Sequence, residues 1–455
     1  MRDAATVRGR MSLWLDESPP EPRPALDHDA SADVVVIGAG VAGVATAYWL
    51  ARAGARPLVL EARTIAEAAS GRNAGFLLAG VAENFLVASR RYGEPNALRI
   101  WRFTRRNQEL VRELVARHRI DCDLRWHGSA QIAGDDEEWA EMRASVERLT
   151  SEGVRARIVP EERTAIYEDD GELHPVRYVR GLARAAEAAG ATFHERTCVT
   201  AMDAGAVRTG RARVSTSAVV VCVNAYASHL LPLRIRPVRG QMLATAPLER
   251  RVFARPAYAH RGYRYWRQRE DGRILVGGWR DLAVDVEVGE EERTTEPIQS
   301  ALETFLRRHA PDAAVTHRWA GIMGFSHDAR DLAADRALLA ECADGHEVVA
   351  GQRRPVLAEA RDAAEERLPD DLVARRPKHT QRGVVRVDER APAVAHDDPA
   401  RDRVVYVTDQ PRGVDALPRV RFHPHRDSNA IGARPSRERR GRIESASSAP
   451  VATAP

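Results

Sequence analysis

The sequence predicts a mixed α/β chain in which a parallel-sheet domain alternates with an α+β domain containing an antiparallel sheet. Residues 33–61 read as strand, glycine turn, helix and strand; a second buried-strand run, AVVVCVN, returns at 218–224; residues 236–281 alternate with a period of two instead. At 455 residues the chain exceeds one compact core and implies two or three domains. Hydrophobic residues at 44% and charged residues at 29% place it among ordinary globular proteins.

Within DVVVIGAGVAGVATAYWLARAGARPLVLE, Val34 to Ile37 form a β-branched run, and Gly38, Gly40 and Gly43 complete GxGxxG where a helix should begin. Gly38 permits the tight turn, Gly40 lets backbone approach a pyrophosphate, and Gly43 lets helix and strand pack closely. The helix N-terminus then offers amide donors to phosphate. Val44 to Ala53 supplies the helix and Gly54 ends it. Pro57 to Leu60 is the next strand and delivers Glu61, 23 positions after Gly38, where a carboxylate accepts from ribose hydroxyls and disfavours a phosphorylated ribose. A membrane or signal segment would explain the apolar run but not glycines at turn spacing followed by an acid-tipped strand. The unit is therefore a Rossmann-like dinucleotide cradle.

The loop Ser70, Gly71, Arg72, Asn73, Ala74, Gly75 is small, polar and glycine-flanked, able to hug a ligand with Arg72 and Asn73 as donors to a pyrophosphate or ring carbonyl. A plain solvent turn fits the same residues equally well. Helical periodicity spans Pro95 to Arg119 and Glu137 to Thr150, making about 86–170 a largely helical insertion. A helix ended by Gly190 leads to a strand carrying Cys198 and Val199, and AVVVCVN places Asn224 and Ala225 at a carboxyl edge where open α/β sheets bind ligands. Asp271-Gly272 marks a hairpin, a helix covers Thr295 to His309, and a strand starts at Val315.

The formal charge of +4 arises from 69 basic and 65 acidic residues, too balanced to imply a nucleic-acid partner. Cys122, Cys198, Cys222 and Cys342 lack metal-binding spacing, which suggests reduced thiols, a cytoplasmic location and no metal site. The first ten residues lack an apolar segment behind their arginines, arguing against export, and Met11 offers an alternative start. No membrane span is expected.

Taken in order, SLWLDE, the cradle, SGRNAG, AVVVCVNAYASHLLP with RPVRGQ, DGRILVGGWRD and HRWAGIMGFSHD resemble the D-amino-acid oxidase, glycine oxidase and sarcosine oxidase superfamily of FAD-dependent oxidoreductases, most nearly its gamma-glutamylputrescine oxidoreductase-like members. The resemblance covers roughly 11–330. It implies FAD held by Gly38, Gly40, Val41, Ala42 and Gly43, ribose at Glu61 with Ala62 and Arg63 beside it, ring-proximal contacts from Ser70 to Gly75, and contacts from Val199, Asn224 and Ala225. It also implies interleaved domains: an N-terminal extension at 1–32, FAD-binding parts at 33–85 and 171–235, and substrate parts at 86–170 and 236–329.

The implied chemistry is oxidation of a C–N bond in an amine or amino-acid-like substrate, giving an imine that hydrolyses, with oxygen or a quinone as acceptor. No catalytic residue is assigned. The run HRGYRYWRQ, read as a strand, would put Arg261, Tyr263 and Tyr265 on one face as substrate-pocket candidates, although a cross-strand surface patch is an equal reading. Glycine oxidase-like enzymes carry an arginine soon after WAG that pairs with the substrate carboxylate; the aligned position here is Met323, which points to a larger or γ-glutamyl-type amine. An NAD-dependent dehydrogenase would share the cradle but needs neither SGRNAG nor the DGRILVGG hairpin. After Ala329 the family's glycine-rich closing turn is missing, and residues 330–455 read as a divergent, irregular tail of arginine, alanine, proline and aspartate. A reading-frame change near Ala329 would account for this, and a catalytically impaired flavoprotein remnant is the alternative it raises.

Overall fold

The computed structural model describes residues 8–203 and 205–326, with the short strands His346–Val349, Gln352–Pro355 and Arg403–Tyr406. Most of the tail expected to be irregular therefore lies outside the described residues. Two sheets organise the rest.

Four valine and isoleucine side chains, Val34 to Ile37, are almost fully buried and alternate between two cores, as a parallel strand covered on both faces requires. Their strand, Ala30–Ile37, lies at the centre of a seven-stranded sheet. It pairs in parallel with Pro57–Leu60 on one side and Arg213–Val221 on the other. Thr192–His194 extends the sheet beyond Pro57–Leu60, Ala206–Thr209 and Val199–Asp203 continue it beyond Arg213–Val221, and Arg403–Tyr406 also pairs with Arg213–Val221. Helices Val41–Arg52 and Pro175–Ala188 bury Val44, Ala47, Tyr48, Val176, Val179 and Leu182 in the core on one side of this sheet.

The crossover closes because two glycines leave no room for side chains. A Cβ on Gly43 would stand 1.9 Å from the Gly38 carbonyl oxygen. Gly38 itself has φ 98° and packs against the Cys222 carbonyl.

The second sheet has nine strands, running Arg8–Gly9, Val315–Ser326, Ile235–Thr245, Ile274–Gly278, Arg264–Gln268, Ala257–Ala259, Ser129–Ile132, Thr164–Tyr167 and Ala156–Val159. Long helices Glu94–His118 and Asp136–Ser151 cover part of it, and Glu296–His309 packs Ile298, Leu302 and Leu306 beneath the Ile235–Thr245 region. The Asp271-Gly272 turn joins two antiparallel strands, with Gly272 at φ 85°.

The strand read from HRGYRYWRQ begins only at Arg264. His260, Arg261 and Gly262 have φ values of 52°, 54° and 81°, so they form a left-handed turn and the alternation does not reach Arg261. Within the residues read as an N-terminal extension, part of the chain packs tightly. Ser12, Leu13 and Trp14 are at most 1% exposed, Ser12 Oγ donates to Gly71 O at 2.6 Å, and Trp14 Nε1 donates to Asn73 O at 2.7 Å. This segment is part of the core.

Glu17, just beyond Trp14, is half-buried, and burial works against its ionisation. His174 at 3.6 Å and the Arg269 guanidinium, which reaches both carboxylate oxygens, outweigh that and hold it at about 2. Since the folded state depresses this acid, ionised Glu17 supports the fold above about pH 4.5, and the support fades as pH falls toward 2. Glu17→Gln should flatten the acid limb of the stability profile by about 1 kcal/mol, measured as urea midpoints between pH 6 and pH 3. Gly43→Ala should cost roughly 2 kcal/mol or more, read from thermal unfolding, with Gly210→Ala, where nothing stands within 4 Å, as the neutral control.

Candidate active site

The crossover opens toward the nine-stranded sheet at three loops. Gly40 is the N-cap of helix Val41–Arg52 and brings no side chain to satisfy the first-turn amides. Val41 N donates to Ser70 Oγ at 2.9 Å, while a Cβ on Gly40 would meet that same oxygen. Ser70 thus satisfies Val41 N, and the bare Cα of Gly40 leaves an approach for an anionic diphosphate to the other amides of the helix start.

Glu61 leaves the tip of Pro57–Leu60 and is fixed from both sides. Its Oε2 accepts from Ala39 N at 2.7 Å and its Oε1 from Arg63 N at 2.8 Å. Burial raises its pKa, and the two amides partly counter this. A carboxylate has about four lone-pair positions, so acceptor capacity remains for ribose hydroxyls. Thr197 N donates to Glu61 O and Arg196 N to Arg63 O, which aligns the segment leading into Val199 with Glu61, Ala62 and Arg63. Asn224 and Ala225 begin a 3-10 turn beyond Arg213–Val221; Asn224 has φ 47° and its Nδ2 donates to Ile322 O at 3.2 Å.

The Ser70–Gly75 loop is held differently from the sequence expectation. Arg72 is 8% exposed. Its guanidinium donates to the carbonyls of Glu67, Arg10 and Ala320 and pairs with Glu292 at 3.0 Å. Asn73 Nδ2 donates to Ala69 O and Ser70 O, and its Oδ1 accepts from Gly75 N. The Arg72 guanidinium is thus bonded within the protein, while Asn73, also bonded within its loop, remains exposed beside Ser70.

Beyond Gly75 the chain runs into Phe76, which packs edge-on against Tyr258 at 5.3 Å and Tyr265 at 6.4 Å between ring centroids. Tyr265 lies over Gly277, where a Cβ would be 2.2 Å from its ring. Its hydroxyl and the Met323 methyl both border Gly240. Gly321, on the same face of Val315–Ser326 as Met323, abuts Arg72 Cβ. Phe76, Tyr258, Tyr265 and Met323 therefore form an aromatic, largely apolar wall beside the cofactor loop. Burial raises the Tyr265 phenol to about 12 and Tyr258 further, so both are neutral hydroxyls across the physiological range.

Of the three pocket candidates, the structure places Tyr265 in this wall. Tyr263 lies at its edge, with Arg280 stacked 4.4 Å from its ring centroid. Arg261 is elsewhere: it pairs with Glu141 at 2.8 Å and Glu137 at 3.1 Å on helix Asp136–Ser151, and its backbone N donates to Glu138. Tyr258, Phe76 and Arg280 went unnoticed in the sequence, because their common ground is pairing between strands distant in sequence and no spacing signals it.

A glycine-turn crossover with an acid-tipped second strand, facing an aromatic wall on an antiparallel sheet, defines a dinucleotide-dependent oxidoreductase. Residues 33–357 match the family described as FAD dependent oxidoreductase, and the chain belongs to that family. The cofactor is FAD rather than NAD, and the donors around Gly40, Ser70 and Glu61 fit it. The match runs past Ala329, where the sequence pattern departs from the family's.

The chain is 29% identical over 280 residues to gamma-glutamylputrescine oxidoreductase of Escherichia coli (strain K12), covering 56% of this chain and 66% of that protein. It is 28% identical over 235 residues to glycine oxidase of Bacillus licheniformis, covering 47% and 60%. The aligned chain thus spans just under two thirds of these relatives' length. Among solved structures it resembles glycine oxidase from Geobacillus kaustophilus (22% identity, TM-score 0.55, 66% of this chain and 84% of that one) and L-proline dehydrogenase from P. horikoshii (20%, 0.55, 66% and 83%), which shows the shared fold. Among the described residues, no helix is long and apolar enough to cross a membrane.

Glu61→Gln should replace one of the two fixed oxygens with a donor facing a backbone N–H. FAD affinity should fall by about 10- to 100-fold, measured by quenching of flavin fluorescence on titration of apoprotein.

Proposed function

We propose that the chain oxidises the C–N bond of an amine or amino-acid-like substrate, yielding an imine that water hydrolyses, in a cytoplasmic setting with oxygen or a quinone as final acceptor. The observation that supports this best is the wall of Phe76, Tyr258, Tyr265 and Met323 set against the cofactor loop. FAD, when bound, supplies the hydride acceptor. The residues of this chain have simpler tasks. Loss of water in this buried, largely apolar setting disfavours a charged ammonium and so favours the neutral amine whose lone pair must form the C=N bond as hydride departs. The neutral phenols of Tyr258 and Tyr265 donate hydrogen bonds without abstracting protons. Close packing of Phe76 on both tyrosines limits water near the reacting carbon.

Met323 cannot form the charged fork that grips a small α-amino acid. The reading therefore favours larger amines, the γ-glutamyl type included, and is consistent with the name of one relative. Anaerobic mixing of FAD-loaded protein with an amine panel checks it. Bleaching of the flavin band by longer primary or secondary amines, with glycine and D-alanine at least about tenfold slower, is the expected pattern. Rapid bleaching by glycine would overturn the substrate preference, and no bleaching by any amine would overturn the reaction.

A further inference from the structure

Five other arginines of the cofactor loop and of the nine-stranded-sheet region are already committed. Arg72 holds backbone carbonyls and Glu292, Arg239 pairs with buried Glu287, Arg261 with Glu137 and Glu141, Arg264 with His260 and Asp281, and Arg267 holds the carbonyls of Ala74, Gly75 and Leu173 beside Glu172. Arg280 differs. It follows Trp279, whose φ of 59° turns the chain sharply after strand Ile274–Gly278. Its Cζ lies 4.4 Å from the Tyr263 ring centroid and 5.4 Å from that of Phe325. Phe325 shares a face of Val315–Ser326 with Met323 and Gly321. Among the described residues no carboxylate lies in ion-pair range of Arg280, and neighbouring Asp281 is oriented toward Arg264.

Rings stack on the flat faces of a guanidinium and leave its edge N–H donors unused. Such a group is held in place yet still able to fork a carboxylate. Its charge also reaches the site, since it opposes the effect of burial on the phenols of Tyr258 and Tyr265.

We infer that Arg280 is a specificity residue that binds a carboxylate carried by the substrate at a distance from the amine being oxidised, in place of the arginine that Met323 displaces. This rests on the amine-oxidation reading. It narrows the substrate class to amines bearing a remote carboxylate, with the nitrogen-bearing carbon against the Tyr265 and Met323 wall and the anion at the Tyr263 and Phe325 edge.

The test pairs each ω-amino acid from four to six carbons with the n-alkylamine of equal length, using FAD-loaded wild type, Arg280→Gln and Arg280→Lys. Flavin reduction gives kcat/KM, and perturbation of the flavin spectrum by glutarate gives carboxylate binding apart from turnover. Wild type should prefer at least one amino acid over its matched amine by about 10- to 100-fold. Arg280→Gln should bring that ratio near one by lowering turnover of the amino acids far more than that of the matched amines, and Arg280→Lys should retain part of it. An unchanged ratio in Arg280→Gln with full FAD content, or no preference in wild type at any length, overturns the proposal. If no amine reduces the flavin while glutarate binds in an Arg280-dependent way, the oxidation reading falls and the anion site stands. Should Arg280→Gln fail to load FAD, Arg280→Lys decides through its glutarate affinity: weakening supports the proposal and full retention with an unaltered amine ratio opposes it.

Discussion

One buried guanidinium joins the two halves of this molecule. Arg72 reaches the carbonyls of Glu67 in its own domain, Arg10 at the amino-terminal strand and Ala320 in the nine-stranded sheet, and it closes an ion pair with Glu292. From the other direction, Trp319 Nε1 donates to Arg72 O at 2.9 Å, and Gly321 lets the two backbones approach. A buried arginine is stable only when its donors are met, and here carbonyls from three separate segments meet them. The position of the Ser70–Gly75 loop, and so of everything a flavin would touch on that side, follows from this arrangement.

The loop position in turn sets the aromatic wall. Phe76 is the next residue after Gly75, and its ring locks onto Tyr258 and Tyr265. Glycines at 240 and 277 keep the sheet surface flat enough for Tyr265 and Met323 to lie across it. Aromatic residues are only 5% of the chain. Several of them are nonetheless gathered where a pocket must be both dry and shaped, which is where large rigid side chains contribute most.

The nucleotide-binding crossover was legible in the sequence because it is local: thirty consecutive residues contain both strands, the helix, the glycines and Glu61, and each has a stereochemical reason tied to its neighbours. What failed did so for non-local or conformational reasons. Arg261 lies in a run of alternating residues, but nothing in its type announces φ of 54°, and the acids that capture it are about 120 residues earlier. The bonds that Arg72 and Asn73 make within the protein were not legible, since most of their partners are backbone groups, which every residue has and no motif marks. Arg280 was invisible because Tyr263 and Phe325 come to its guanidinium only through the fold of segments distant in sequence.

The amino-terminal strand Arg8–Gly9 pairs in parallel with His317 and Arg318, across some three hundred residues of chain. During synthesis its partner strand, the last long one among the described residues, emerges only after some three hundred further residues. Ser12 and Trp14 can dock on the Ser70–Gly75 loop much earlier. The nucleotide half itself draws its sheet from residues up to Val221, and the seal between the halves depends on the still later strand Val315–Ser326. A polypeptide interrupted before that point would retain a recognisable cradle but lack the clasp that secures it.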